Sequence, residues 1–263
     1  MDLQIKGKTA LITASSLGIG RAVAEALIQE ECKVAICARN KEQLIKTSEE
    51  IKKLYNVEPV WVVCDIKDEK DIDNTVDAVT KSYGPIDILV NNCGGPIAGY
   101  FEDLYDENWQ TAFEQVLLSS IRFTRKVLPD MKEKGWGRII NITSLTVKQP
   151  VENLMLSNSL RLAVIGFAKT LSNEVGKYNI TVNNIAPGYT LTNRLYSLAK
   201  NKAKLTGESH EHILAEMVKD ASLGRLARPD EIASVVAFLA SEKASYITGI
   251  TIQVDGGVIK GIL

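Results

Sequence analysis

Residues 13 to 20 read Thr13-Ala14-Ser15-Ser16-Leu17-Gly18-Ile19-Gly20, between a short apolar run and a helical pattern that opens at Arg21. Glycines so placed let a backbone turn tightly and approach a pyrophosphate, whose charge a helix N-terminus stabilises. About twenty positions past such a loop, an acidic residue would take the ribose hydroxyls of NAD. Here that place holds Arg39-Asn40, with no acid before Glu42. A guanidinium can fork onto a 2′-phosphate and stack on adenine, so the pair favours NADP over NAD. Otherwise Arg39 is a surface residue closing a strand. Asp65 either accepts from an adenine amino group or caps the next helix. Position 14 holds Ala where a first glycine is usual, and a slightly wider turn is expected.

Elements must position these groups. Apolar runs at Lys8–Thr13, Lys33–Ala38, Pro59–Cys64, Asp87–Asn91, Arg138–Thr143, Thr181–Ala186 and Thr251–Val254 read as strands. Their near-continuous apolar character suits parallel strands covered on both faces. Amphipathic helices lie between them. After the fifth strand, Leu160, Val164, Phe167, Leu171 and Val175 draw one apolar stripe. Pro229-Asp230-Glu231 opens a late helix, with proline in its first turn and acids at the positive dipole end. Right-handed crossovers then give an α/β fold, a doubly wound parallel sheet with helices on both faces. No repeat or linker divides the chain, so residues 1–263 are expected to form one domain. Tyr189–Ala221 is long, polar and charged, and as an insertion at the sheet's carboxyl edge it is expected to cover a ligand crevice. The alternative is a solvated helical pair.

The net charge of −1 offers no broad basic field for nucleic acid or a membrane surface. No apolar run approaches the roughly 20 residues that span a bilayer, and the N-terminal stretch lacks a signal-peptide pattern. Cys32, Cys37, Cys64 and Cys93 show no metal or redox spacing, so a reduced, cytoplasmic protein is expected. His210 and His212 lie in a charged segment, and no metal site is expected. Lys200, Lys202 and Lys204 either form surface or meet a phosphopantetheine phosphate.

Further segments extend the pattern. Asn91-Asn92-Cys93-Gly94 follows the fourth strand, and Gly137 to Ser144 form the fifth strand and end in serine. Asn183 to Thr190 contain Pro187-Gly188, and Gly224-Arg225-Leu226 with Pro229 and Glu231 precede Ile247-Thr248-Gly249 and Val254-Asp255-Gly256-Gly257. In this order and spacing the chain resembles the short-chain dehydrogenase/reductase family over almost its whole length, nearest the 3-oxoacyl-carrier-protein reductase branch. The resemblance implies a seven-stranded Rossmann sheet and an NADP(H)-dependent oxidoreductase acting on a small carbonyl or alcohol substrate. It also implies a homo-oligomer, dimer or tetramer, pairing its fourth and fifth helices. Phe113, Leu117, Ser120 and Thr124 form a fairly apolar stripe that permits that pairing. Cofactor contacts are implied at Thr13, Ser15, Ser16, Gly18, Ile19 and Gly20, at Arg39 and Asn40, and at Asp65 and Ile66. Asn91, Gly94, Arg161, Pro187, Gly188 and Thr192 complete them.

The family's chemistry rests on Ser, Tyr and Lys, with an Asn on the fourth helix. Ser144 matches the first. The Tyr normally lies about a dozen residues further on, with the Lys four beyond it. Those places hold Ser157 and Arg161, and the relay Asn is replaced by Val116. A serine hydroxyl is far less acidic than a phenol, whose pKa is near ~10, and arginine does not release its proton. The expected catalytic set is therefore Ser144, Ser157 and Arg161, with Ser157, a water or Tyr189 as proton donor. A nucleotide-binding protein without turnover is the alternative. Arg161 also fits the Ser-Tyr-Arg set of halohydrin dehalogenases, but those keep the Tyr and lose the glycine loop, the reverse of this chain.

Overall fold

A computed structural model describes residues 2–262. Seven parallel strands form one sheet in the order β3-β2-β1-β4-β5-β6-β7. They are β1 (Thr9–Ile12), β2 (Lys33–Ala38), β3 (Val60–Val63), β4 (Ile88–Asn91), β5 (Gly137–Ile142), β6 (Ile180–Pro187) and β7 (Thr251–Val254). The expected strands are all present, and the doubly wound α/β architecture is borne out. The order reverses between β1 and β4, which opens a crevice beyond the carboxyl ends of the strands.

Alternation along the strands divides the core. Ala10, Ile12, Ile36, Val90 and Ile140 face α1 (Gly18–Gln29), α2 (Lys41–Tyr55) and α9 (Pro229–Leu239). Leu11, Ala35, Leu89, Ile139 and Val182 face α3 (Glu69–Tyr83), α5 (Ser119–Lys134) and α6 (Met155–Val175). On α6 the expected stripe is in place, with Val164, Leu171 and Val175 buried. Local chemistry sets the helix starts. Asn40 accepts from Gln43 N at 2.8 Å to cap α2, and Asp68 accepts from Lys70 N and Asp71 N at 2.7 and 3.2 Å to cap α3. Asp65 therefore does not cap α3; its Oδ1 accepts from Lys67 N within the preceding turn.

The segment after β4 departs from the sequence reading. Helix α4 (Asp106–Phe113) runs into a π-helical turn over Glu114–Leu118 before α5 begins. The extra residue shifts the helical phase by about 100°. Ser120 and Thr124 consequently point into the chain's own core, while Phe113 and Leu117 are only half-buried. The four residues do not form one exposed stripe.

Asparagines cross the sheet near the crevice. Asn91, Asn141 and Asn184 are in register on β4, β5 and β6. Asn91 Nδ2 donates to Asn141 Oδ1 at 2.9 Å, and Asn141 Nδ2 donates to Asn184 Oδ1 at 2.9 Å. Asn184 Nδ2 then donates to Ile250 O at 3.2 Å. Among the described residues no helix is long and apolar enough to cross a membrane.

Candidate active site

The β1–α1 loop is held from behind by β4. Asn92 Nδ2 donates to Thr13 O and Ala14 O at 3.1 and 3.0 Å, and Thr13 Oγ1 donates to Asn92 O at 2.6 Å. Gly20 permits this approach, since a Cβ there would meet Ala14 O and Asn92 Nδ2 at 2.7 Å. No side chain caps α1, so its first N–H groups stay open at the crevice, as an anion requires. Ala14 in this turn adopts a left-handed backbone, φ +46°, where an L-residue is strained by about 1 kcal/mol.

A cavity of about 340 Å³ lies at the carboxyl ends of β1, β4, β5 and β6. It brings together Gly18, Ile19, Gly94, Ser144, Ser157, Arg161, Pro187, Gly188 and Thr192 of the expected site. Arg39 and Asn40 stand exposed at the end of β2, with half-buried Asp65 after β3. Arg39 makes no ion pair among the described residues. The β2 end thus offers an unpaired arginine, and the cavity offers an open helix N-terminus and polar groups. Ser16 borders the loop half-buried, its carbonyl accepting from Thr47 Oγ1 at 2.7 Å.

Three of the expected cofactor residues turn their side chains away from the crevice. The hydroxyl of fully buried Ser15 donates to Ile12 O at 2.7 Å and accepts from Cys37 N at 3.1 Å, so this side chain shapes the loop from inside. The Asn91 side chain belongs to the asparagine row and also donates to Thr124 Oγ1 at 3.3 Å. The Ile66 side chain packs in the core with α3. These residues can offer a ligand only their backbone.

Three hydroxyls gather at the β5 end. Ser144 begins a short 3₁₀ turn, and its Oγ accepts from Thr146 N at 3.2 Å. Thr146 Oγ1 lies 3.3 Å from Ser157 Oγ, and both residues are buried. Sequence reasoning missed Thr146, which no motif marks. Val116 is buried within the π-helical turn, and its carbonyl accepts from Ser120 Oγ. The Arg161 Nη1 donates to Ile142 O and Thr143 O at 3.0 and 2.9 Å, and its Nη2 lies 3.9 Å from Cys93 Sγ.

The segment after β6 also borders the cavity. Thr192 caps α7 (Asn193–Thr206) by accepting from Leu195 N, and its methyl group would lie 3.2 Å from a Cβ at Gly18. Arg194, absent from the sequence reading, donates from Nη2 to Pro96 O at 2.6 Å. Its partner lies 98 residues away, which no local pattern encodes. Burial, then the nearby Arg161 charge, pushes the Arg194 pKa below its usual value. Tyr189 is half-buried, and burial followed by Asp220 holds its phenol above the usual range. It also borders an adjoining cavity of about 280 Å³, lined by Leu154, Leu198, Lys202, Leu205 and Met217. Helices α7 and α8 (His210–Asp220) pack on each other, and Tyr189 to Leu195 line the main cavity. Exposed His212 lies between Glu208 and Glu216 at 3.6 and 3.7 Å, apart from the cavity.

The fold is matched among known proteins. The family model for enoyl-(acyl carrier protein) reductase matches residues 13–259. The chain is 33% identical over 258 residues to the 3-oxoacyl-(acyl-carrier-protein) reductase of Aquifex aeolicus, covering 98% of this chain and 100% of that protein. It belongs to the short-chain dehydrogenase/reductase family. Among solved structures, L-sorbose reductase from Gluconobacter frateurii, complexed with NADPH and L-sorbose, matches with a TM-score of 0.93 at 35% identity. Both chains are covered completely. A variant of actinorhodin polyketide ketoreductase with NADPH also gives 0.93, at 34% identity, over 97% of this chain and 98% of that one.

Proposed function

We propose that the chain is an NADP(H)-dependent oxidoreductase that interconverts a carbonyl and an alcohol. One observation carries the reading: a single cavity joins Gly18 and Ile19 at the open N-terminus of α1 to the Ser144, Ser157 and Arg161 cluster at the β5 end, and an unpaired Arg39 stands exposed at the β2 end. The cofactor, when bound, supplies or takes a hydride. Gly18, Ile19 and Gly20 bind its pyrophosphate through the helix N-terminus, and Arg39 holds the 2′-phosphate. Arg161 offers its remaining N–H donors to the ribose hydroxyls and is fixed by two β5 carbonyls.

Ser144 orients the substrate oxygen by a hydrogen bond. Ser157 passes its proton to that oxygen in reduction and regains one through Thr146 or water. The Arg161 charge steadies the negative charge that develops. The segment 189–221 acts as the lid, with Tyr189 to Leu195 as its inner face and Tyr189, protonated at neutral pH, as a second donor. Pairing of α5 and α6 between copies forms a dimer or tetramer. The protein works in the cytoplasm, where its four thiols remain reduced.

Titration with NADPH and NADH, followed by nicotinamide fluorescence, tests the reading. NADPH is expected to bind more tightly, and Arg39→Ala to weaken it by roughly 10- to 100-fold with NADH unaffected. Absence of binding by both nucleotides would overturn it. Tight binding without reduction of any carbonyl would instead identify a nucleotide-binding subunit.

A further inference from the structure

A buried and a half-buried cation share the cavity without an anion. Arg161 is buried and Arg194 half-buried, and both line the cavity beside Ser144 and Ser157. Neither forms an ion pair among the described residues, although eleven Lys or Arg ion pairs occur elsewhere among them. Cations removed from water without a counter-charge are costly unless something compensates them. Each guanidinium carries five N–H donors. Pro96 O engages one nitrogen of Arg194, which leaves it a donor edge, while Arg161 is held by Ile142 O, Thr143 O and Cys93 Sγ and adds positive charge nearby.

The position of Arg194 is built. Its guanidinium atoms lie 2.5, 2.6 and 2.7 Å from where a Cβ on Gly95 would stand, so a side chain at that position would displace the head group. Thr192, not Arg194, approaches Gly18 and the pyrophosphate end of α1. Arg194 lies across the crevice, against the loop that follows β4.

The geometry points to Arg194, supported by Arg161, as the receptor for a carboxylate on the substrate, which makes the substrate an oxo acid or hydroxy acid. This assignment rests on the oxidoreductase reading. A planar fork pairs with a carboxylate through two parallel hydrogen bonds. The carbonyl of the same small molecule then meets Ser144 and Ser157, and Leu154, Leu198, Leu205 and Met217 of the adjoining cavity receive its tail.

The test uses NADPH-loaded protein and two probe pairs: acetoacetate with methyl acetoacetate, and 2-oxobutanoate with its methyl ester. Binding is read by the change in NADPH fluorescence, and turnover by NADPH oxidation. At least one acid is expected to bind roughly 10- to 100-fold better than its ester. Arg194→Met should erase that preference while NADPH affinity holds, and Arg194→Lys should restore part of it. Weakened NADPH binding in Arg194→Met would overturn the proposal, because Arg194 would then serve the cofactor. Equal treatment of acids and esters, or no binding of either by the loaded protein, would also overturn it. A wild-type protein that binds no NADPH removes the oxidoreductase reading itself, and this proposal with it.

Discussion

Thr146 Oγ1 and Ser157 Oγ stand 3.3 Å apart, one from the turn after β5 and the other from the first turn of α6. Thr146 also donates its backbone N–H to Ser144 Oγ at 3.2 Å. The three residues thus form a connected polar row on the cavity wall, where a proton has somewhere to come from.

Ser157→Ala breaks that row while leaving the nucleotide-binding loop intact. With a carbonyl that the protein reduces, kcat is expected to fall by about 10²-fold or more, with NADPH affinity unchanged. Ser157→Thr keeps the hydroxyl and should retain much of the rate. Steady-state rates and fluorescence titrations on both variants check this, and an undiminished kcat in Ser157→Ala would transfer the donor role to Tyr189 or water.

Thiol access offers a second check. Cys32, Cys37 and Cys64 are buried, and burial followed by Glu30 and Asp87 pushes Cys32 up to about 12. Cys93 is part-exposed beside Arg161 in the cavity. An aromatic disulfide reagent should therefore modify one of the four thiols quickly. Cys93→Ser should remove that phase and NADPH should slow it. A fast phase that survives in Cys93→Ser would contradict this placement.

Ala14→Gly relieves a left-handed alanine at a cost of about 1 kcal/mol, against roughly 0.4–1 kcal/mol of added freedom in the unfolded chain. The net expectation is a neutral to slightly stabilising change, up to about 0.5 kcal/mol. Urea unfolding measures it. A clear loss of stability would mean that the methyl group has a packing role.

Glu231 accepts two hydrogen bonds from Arg225, at 2.7 and 2.6 Å, and one from Arg228 N. These hold its carboxyl at about 2, below the roughly 4.3 of an unfolded glutamate. The folded state therefore binds this proton less readily. The stabilisation is present above about pH 4.3 and fades as pH falls through that value towards 2. Glu231→Gln should lower the melting temperature at neutral pH, with the difference closing in acid. Added salt should shrink the difference, since the pair is exposed. A gap independent of pH would place the effect in helix capping instead.

The strands were legible because both faces of each are covered, which writes the core directly as apolar runs. The bounds of β2 and β7 match to the residue, and the other strands differ by a residue at one or both ends. The phase of α5 was not legible, since the π-helical turn has no residue pattern to announce it. Gly18, Ser144, Ser157 and Arg161 could be placed by spacing along single elements. For Ser15 and Asn91, spacing fixes the backbone position and leaves side-chain direction open. Arg194 and Thr146 act through neighbours that only the folded chain supplies.

The asparagine row has a consequence for assembly of the sheet. Its three amides come from strands whose partners lie 50 and 43 residues apart, and every Nδ2 donates towards β7. In parallel strands a slip of one residue turns each side chain to the opposite face. A misplaced β5 would then strand two buried amides at once, each at about 1–3 kcal/mol. Apolar residues tolerate such slips far better, since isoleucine packs acceptably against many neighbours. The row therefore acts as a proofreading mark: it penalises near-native pairings of the strands that carry the serine and the crevice floor, and so selects the single alignment in which the cavity exists.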